Sequence, residues 1–242
     1  MIIDMTDNNA NDEKDFYTTI NFKYSYESSV GEIEAERYIK KINVDIVGSN
    51  EIDGEFLIGK AQRYILLLGQ ALDDDYDIRY IFDYYSELND FSVLYDFQND
   101  GFNDDLTEKF MIDELNLCIF SRLEIFPEYR GLGIGKMTIK DNFDMLSPGC
   151  GLVAMKPYPL QFEYRRNNEK EKKYYHSMGF DKLEQDKDKA FSSLKTYYRS
   201  LGYKTAKNYP SFMFFPTSQR NPKLDKININ DDSAFRNLRK QR

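Results

Sequence analysis

Ile125-Phe126-Pro127-Glu128-Tyr129-Arg130-Gly131-Leu132-Gly133-Ile134-Gly135 is the stretch on which the reading of this chain turns. The apolar run Leu115 to Phe126, rich in β-branched and aromatic residues, reads as a buried strand, and Pro127 stops it. A glycine turn follows, then Ile139, Phe143 and Leu146 at helical spacing, closed by Ser147-Pro148-Gly149. Strand, glycine turn and helix in that order leave several backbone N–H groups without partners at the positive end of a helix dipole, a place that binds phosphate.

Three motifs for such a turn fail on residue identity. A Walker A loop puts a hydroxyl after its lysine, where this chain has Met137, and its first glycine where this chain has Arg130. The dinucleotide fingerprint wants a third glycine at the position of Lys136, and the kinase glycine loop fails in the same way. What remains is Arg130-x-x-Gly133-x-Gly135 directly after a strand, with Ile125 and Pro127 leading in.

Around this segment the periodicity marks further elements. Ile20, Phe22, Tyr24 and Tyr26 alternate as a strand, as do Ile42, Val44 and Ile46 within Ile33 to Val47; Gly48-Ser49-Asn50 reads as the turn that ends it. Phe56 to Leu68 reads as a third strand, and Gly31 and Gly54 as hairpin turns, so the first half looks like an antiparallel meander. Ile78, Ile81, Phe82, Tyr85 and Leu88 fall on one face of a single helix, and Asn89 to Thr107 reads as irregular. Leu152 to Met155 is a short strand broken by Pro157 and Pro159, and Ala190 to Leu201 an amphipathic helix stopped by Gly202. Ser211 to Phe215 is a late strand. Two short sequences echo each other, Tyr174-Tyr175-His176-Ser177-Met178-Gly179-Phe180 and Tyr197-Tyr198-Arg199-Ser200-Leu201-Gly202-Tyr203, each describing a helix that ends on glycine and turns into a strand.

Composition narrows the class. Lys and Arg number 33 against 41 Asp and Glu, a formal charge of −8, which argues against a nucleic-acid coat. Cys118 and Cys150 read as free buried thiols in a reducing compartment, the cytoplasm. Met1 to Asp15 is acidic and polar, lacks the basic and apolar regions of a signal peptide and reads as a disordered arm. No window supplies the roughly 18 apolar residues of a membrane helix. From Arg220 onward seven Lys or Arg face three Asp, a basic tail read as solvated or loosely docked. No Cys/His cluster suggests a metal.

Arg130, Gly133 and Gly135 with their lead-in resemble motif A of the GNAT superfamily, the acetyl-CoA-dependent N-acetyltransferases. Tyr198-x-x-x-Gly202-Tyr203 is similar to the helix end that crosses the cofactor in that family, and Tyr175-x-x-x-Gly179-Phe180 matches the same pattern. The second copy is favoured because a linker and an apolar strand follow it. Pro157-Tyr158-Pro159-Leu160-Gln161 also looks like a run found in some members, which makes residues 162–187 a charged insertion. The resemblance covers Leu115 to about Pro216, so residues 16–219 are read as one domain, 16–114 a variant N-terminal half and 115–216 the coenzyme half. The family places two helices between its first two strands; here strands come first.

The resemblance implies an α/β fold of GNAT type: a central mixed, mostly antiparallel sheet, splayed at the CoA site and flanked by helices. It implies transfer of an acetyl group from acetyl-CoA to a primary amine, with the pantetheine arm along the backbone at Leu123 and Ile125. The diphosphate would lie on Arg130, Gly131, Leu132, Gly133, Ile134, Gly135 and Lys136, Arg130 adding a charge-assisted contact. Tyr198 would give the leaving sulfur its proton, with Tyr197 and Tyr175 as rivals. Glu124 is one candidate base, although strand alternation turns it from Leu123 and Ile125; Asp113, Glu114 or a water are comparable candidates, and His176 sits in the insertion. The partners are then acetyl-CoA and an amine, with neither nucleic acid nor membrane, on a monomer or homodimer. Rival readings are a non-catalytic acyl-CoA-binding or interaction module with the same fold, and an ATP-binding protein.

Overall fold

The computed structural model describes residues 16–27, 34–163, 168–229, 235–236 and 238–240. The expected N-terminal arm, the Gly31 turn and the start of the strand at Ile33 lie outside them. In chain order the elements are β1 (Thr19–Tyr26), β2 (Ile39–Asn50), β3 (Gly54–Leu66), α1 (Leu68–Asp73), α2 (Arg79–Tyr84), α3 (Ser86–Asn89), β4 (Tyr95–Asp96), β5 (Gly101–Phe102) and α4 (Asp104–Phe110). The second half adds β6 (Leu117–Ile125), α5 (Ile134–Leu146), β7 (Leu152–Met155), α6 (Glu169–Ser177), α7 (Lys187–Ser200), β8 (Lys204–Ala206), β9 (Tyr209–Pro216) and α8 (Pro222–Asp225).

One seven-stranded sheet runs in the order β1-β2-β3-β6-β7-β9-β8, and β4 and β5 form a small hairpin. Within the large sheet the β6–β7 pair is parallel and the others antiparallel. Parallel neighbours need a crossover, and α5 supplies it. Alternation buries both faces. Leu152 and Ala154 of β7, with Phe212 and Phe214 of β9, pack with Leu68, Phe82, Leu106 and Phe110 from α1, α2 and α4. Val153, Met155, Met213 and Phe215 point the other way, onto Ile139 of α5 and Tyr198 and Leu201 around the end of α7.

The architecture departs from the sequence reading in particular places. Gly48-Ser49-Asn50 is strand, not turn; the hairpin bends after Asn50, with Gly54 at φ +64°. Gly48 pairs with Phe56, whose ring would lie 2.6 Å from a Cβ at that position, so glycine is there to admit the ring. The single helix expected from Ile78 to Leu88 is two, broken at Tyr85, whose backbone is extended (φ −117°, ψ 137°). Its apolar residues Ile78, Ile81, Phe82 and Leu88 are nevertheless all buried. Within the supposedly irregular Asn89–Thr107 lie the β4–β5 hairpin and the start of α4. A strand follows the second tyrosine copy, β8, whereas the first copy leads into a 3-10 turn at Phe180–Lys182.

The basic tail is docked where it is described. Leu224 is buried on the α5–α7 side. Phe235, 2% exposed, packs with Ile46, Phe56 and Tyr129, and its carbonyl accepts the Thr18 N–H at 3.2 Å. Phe235→Ala should therefore cost about 3 kcal/mol. Urea unfolding checks this; a change below about 0.5 kcal/mol would mean the tail contributes nothing.

Candidate functional site

The site begins where β6 and β7 part. They pair only at Leu117–Leu152, Cys118–Val153 and Ile119–Ala154. Beyond this β7 ends at Met155, and Pro157, lacking an N–H, cannot extend the ladder. From Phe120 to Ile125, β6 pairs with β3 alone. A cleft of about 850 Å³ occupies the gap, bounded by β6, by the Met155–Gln161 run, by α7 and by the insertion.

A β-bulge sets what β6 shows the cleft. Gln62 opposes Arg122 while Arg63 opposes Phe120, leaving Ser121 unpaired. Alternation is thereby shifted by one residue. Cys118 and Phe120 face the α5–α7 side before the bulge, and Leu123 packs on that side after it. Glu124 consequently turns toward α6, as strand alternation expects.

The glycine turn lies beside the cleft. Gly131 and Gly133 take φ of +81° and +82°, and a Cβ on either would meet nothing within 4 Å. Leu132 and Ile134 anchor the turn by packing against the Ile46–Ile58–Tyr129 cluster. Among the described residues the N–H groups of Gly131, Leu132, Gly133, Ile134 and Gly135 have no acceptor. The neighbouring amides are committed, Arg130 N to Pro127 O at 3.3 Å and Lys136 N to Gly133 O at 2.9 Å. The row of open donors is therefore shorter than expected at both ends.

Arg130 also differs from expectation. Its Nε donates to Ile125 O at 2.9 Å and its Nη2 to Met178 O at 2.8 Å, and its guanidinium carbon lies 5.9 Å from the Phe180 ring centre. These bonds fasten the insertion to the end of β6, so the cation serves the protein's own carbonyls. Burial draws its pKa below the usual arginine value, with Glu128 opposing. Gly179, at φ +58°, packs where a Cβ would come within 3.3 Å of Pro127.

Of the tyrosines, Tyr197 and Tyr198 line the cleft and Tyr175 does not. Tyr175 is buried with Met178 and Phe180 inside the insertion. The Tyr197 hydroxyl comes within 3.3 Å of where a Gly135 Cβ would stand, next to the turn. Tyr198 lies deeper, edge-on to Phe120 at 6.0 Å and to Tyr203 at 5.6 Å, with no hydrogen-bond partner for its hydroxyl among the described residues. Burial raises both phenols, Tyr197 to about 12, and Tyr198 also feels its neighbour Tyr197. Both are therefore neutral hydrogen-bond donors at ordinary pH.

Glu124 is buried and its oxygens are engaged. Oε1 pairs with Arg122 Nη1 at 2.6 Å, and Oε2 accepts from the Tyr174 hydroxyl at 2.6 Å. Arg122 also pairs with Glu163. This network ties the insertion to β6, a connection the sequence did not signal. Asp113 and Glu114 are exposed before β6 begins and do not line the cleft. His176 is exposed, 4.0 Å from Asp181. Among the described residues no group of side chains could hold a metal ion, and no helix is long and apolar enough to cross a membrane.

Comparison of the chain with protein-family models, with curated proteins and with solved structures returned no match.

The two cysteines are buried and free. Burial pushes the Cys118 thiol from 9.0 up to about 11, against the opposing pull of Arg63. Between these values the unfolded chain releases a proton that the folded chain retains. Its stabilising contribution is complete below the ordinary thiol value and is lost as pH rises toward the folded one. Urea unfolding followed across this window should show Cys118→Ala losing about 2–3 kcal/mol less than the unmodified protein; parallel curves would refute the assignment.

Proposed function

We propose that this chain is an N-acetyltransferase that admits acetyl-CoA and a primary amine to one cleft and transfers the acetyl group directly between them. The observation that carries the reading is the row of open amides from Gly131 to Gly135 beside the gap where β6 leaves β7. The mixed, mostly antiparallel sheet flanked by helices is compatible with a GNAT-type fold.

The residues present fit the coenzyme. The turn offers five donors at the N-terminus of a 13-residue helix, with open space at Gly131 and Gly133 and the Tyr197 hydroxyl beside Gly135, and suits a diphosphate. The backbone of β6 at Leu123 and Ile125 has no strand partner on the cleft side and suits an amide-bearing arm, although the Ile125 carbonyl already accepts from Arg130 Nε. Phe120, with Tyr198 against it, stands five residues before Ile125, roughly 16 Å along an extended strand. The Tyr197 ring stands 5.3 Å from the Tyr198 ring and puts its hydroxyl beside Gly135, so Tyr198 is the tyrosine next to Phe120 and Tyr197 the one next to the turn.

Bound acetyl-CoA supplies a thioester carbonyl to accept the amine and a thiol to leave. The amine must arrive neutral, because its lone pair makes the new C–N bond while the C–S electrons pass to sulfur. Tyr198 supplies the proton that sulfur takes up, and solvent returns a proton to its phenolate. The surplus proton on nitrogen goes to water, since Glu124 is already held by Arg122 and Tyr174. Placing the two reactants in line is the larger contribution.

The engagement of Glu124 also favours a second reading, a non-catalytic acyl-CoA-binding or interaction module with the same fold. Binding of acetyl-CoA with no acetylation across a broad amine panel would decide for it.

Calorimetry should find saturable micromolar binding of acetyl-CoA, displaced by CoA but not by ATP, and at least tenfold weaker in Gly133→Glu. Absence of heat at millimolar ligand rejects the proposal. On an acetylated amine, Tyr198→Phe should lower kcat about 100-fold with little change in KM for acetyl-CoA, while Tyr175→Phe leaves kcat as it was. An unaltered kcat in Tyr198→Phe removes that residue from the chemistry.

A further inference from the structure

Arg63 stands in the middle of β3, on the inward face shared by Ala61 and Ile65, and is 2% exposed. Its Nη1 donates to the carbonyls of Gln62 at 2.7 Å and Arg122 at 3.1 Å, the two residues that face each other beside the bulge. Its guanidinium carbon lies 3.2 Å from the centre of the Phe120 ring. Its Nη2 is buried with no partner, and among the described residues no carboxylate pairs with it. A bulge staple needs the Nη1 donors only. It does not account for a full charge buried without an anion, which is costly.

Phe120 and Tyr198 line the cleft, and Arg63 stands behind them. We infer that Arg63 is a positioning residue of the transfer site, whose buried charge favours negative charge at the sulfur end of the cleft. The inference rests on the acyl-transfer reading. When the C–S bond breaks, its electron pair goes to sulfur, and a cation a few ångströms behind the wall, screened by ring and strand instead of water, stabilises that thiolate until Tyr198 protonates it. The remaining groups around Arg63 leave its charge uncancelled: Tyr24 of β1, Cys118 of β6, Tyr198 of α7 and Tyr203 beyond it are neutral acids at ordinary pH. Asp141 of α5 is engaged by the Tyr24 hydroxyl. Burial draws the Arg63 pKa down to about 10, so the cation persists at neutral pH.

The test uses CoA itself and the ultraviolet absorbance of its thiolate, titrated with pH on the full chain. Bound to the unmodified protein, the thiol should ionise about one unit below the ordinary thiol value near 8.5. Arg63→Met should return it to that value and lower kcat about tenfold, while Arg63→Lys, which keeps the charge and loses the paired carbonyl bonds, should hold the thiol low despite a lower melting temperature. Glu87, Asp90, Glu124, Glu163 and Glu184 and the cations Arg122, Arg130 and Lys156 also line the cleft and act on the thiol in every variant alike, so an equal value in Arg63→Met and the unmodified protein overturns the inference. If the unmodified protein does not bind CoA at all, the acyl-transfer reading falls first. Binding with a thiol that Arg63→Met does not move overturns the role of Arg63 alone.

Discussion

The parting of β6 from β7 is the constraint on which the rest of this structure depends. Three residue pairs join the strands, then a proline-punctuated run carries β7 away while β6 continues on the support of β3. A strand left half-paired in a protein interior is unfavourable unless something else meets its backbone. Here Arg130 reaches one carbonyl at the end of β6, Arg63 reaches another at the bulge, and the remaining cleft-side groups face the gap. The cleft is thus a consequence of strand termination, and the side chains around it are arranged to hold the gap open.

The three arginines about β6 divide this work. Arg130 clamps the insertion to the strand end, Arg122 joins Glu124 and Glu163, and Arg63 is buried without an acid. In a chain of net charge −8 these cations gather around one strand, while the cleft they border also carries Glu87, Asp90, Glu124, Glu163 and Glu184. The insertion is part of the same unit. Tyr174, Met178, Phe180 and Gln161 bind it to the cleft wall through side-chain and backbone contacts, and its composition of surface charges hides that packing.

Much of the scaffold was legible because it obeys a simple period. The strands at Ile20–Tyr26, Leu152–Met155 and Ser211–Phe215 and the helix after the glycine turn show alternation or helical spacing strong enough to stand alone. Where a residue serves packing instead of local conformation, the local pattern misleads. Gly48 looks like a turn and is strand because Phe56 needs the room; Tyr85 looks like a helix-face residue and is extended because two short helices meet there. The helices α1 and α4 are not legible in the sequence, since short segments carry too little periodicity.

By itself the sequence determined the strand–turn–helix at Ile125–Gly135. Proline ends a ladder, glycine alone enters positive φ cheaply, and an apolar helical stripe must bury itself; these are properties of neighbouring residues. Only the tertiary structure decided which amides stay open, that Arg130 turns to the protein's own carbonyls, that Tyr198 and not Tyr175 reaches the cleft, and that Arg63 lies behind it unpaired. Each of these depends on groups far apart in the chain meeting in space, and hydrogen-bond partners and burial are set by that meeting.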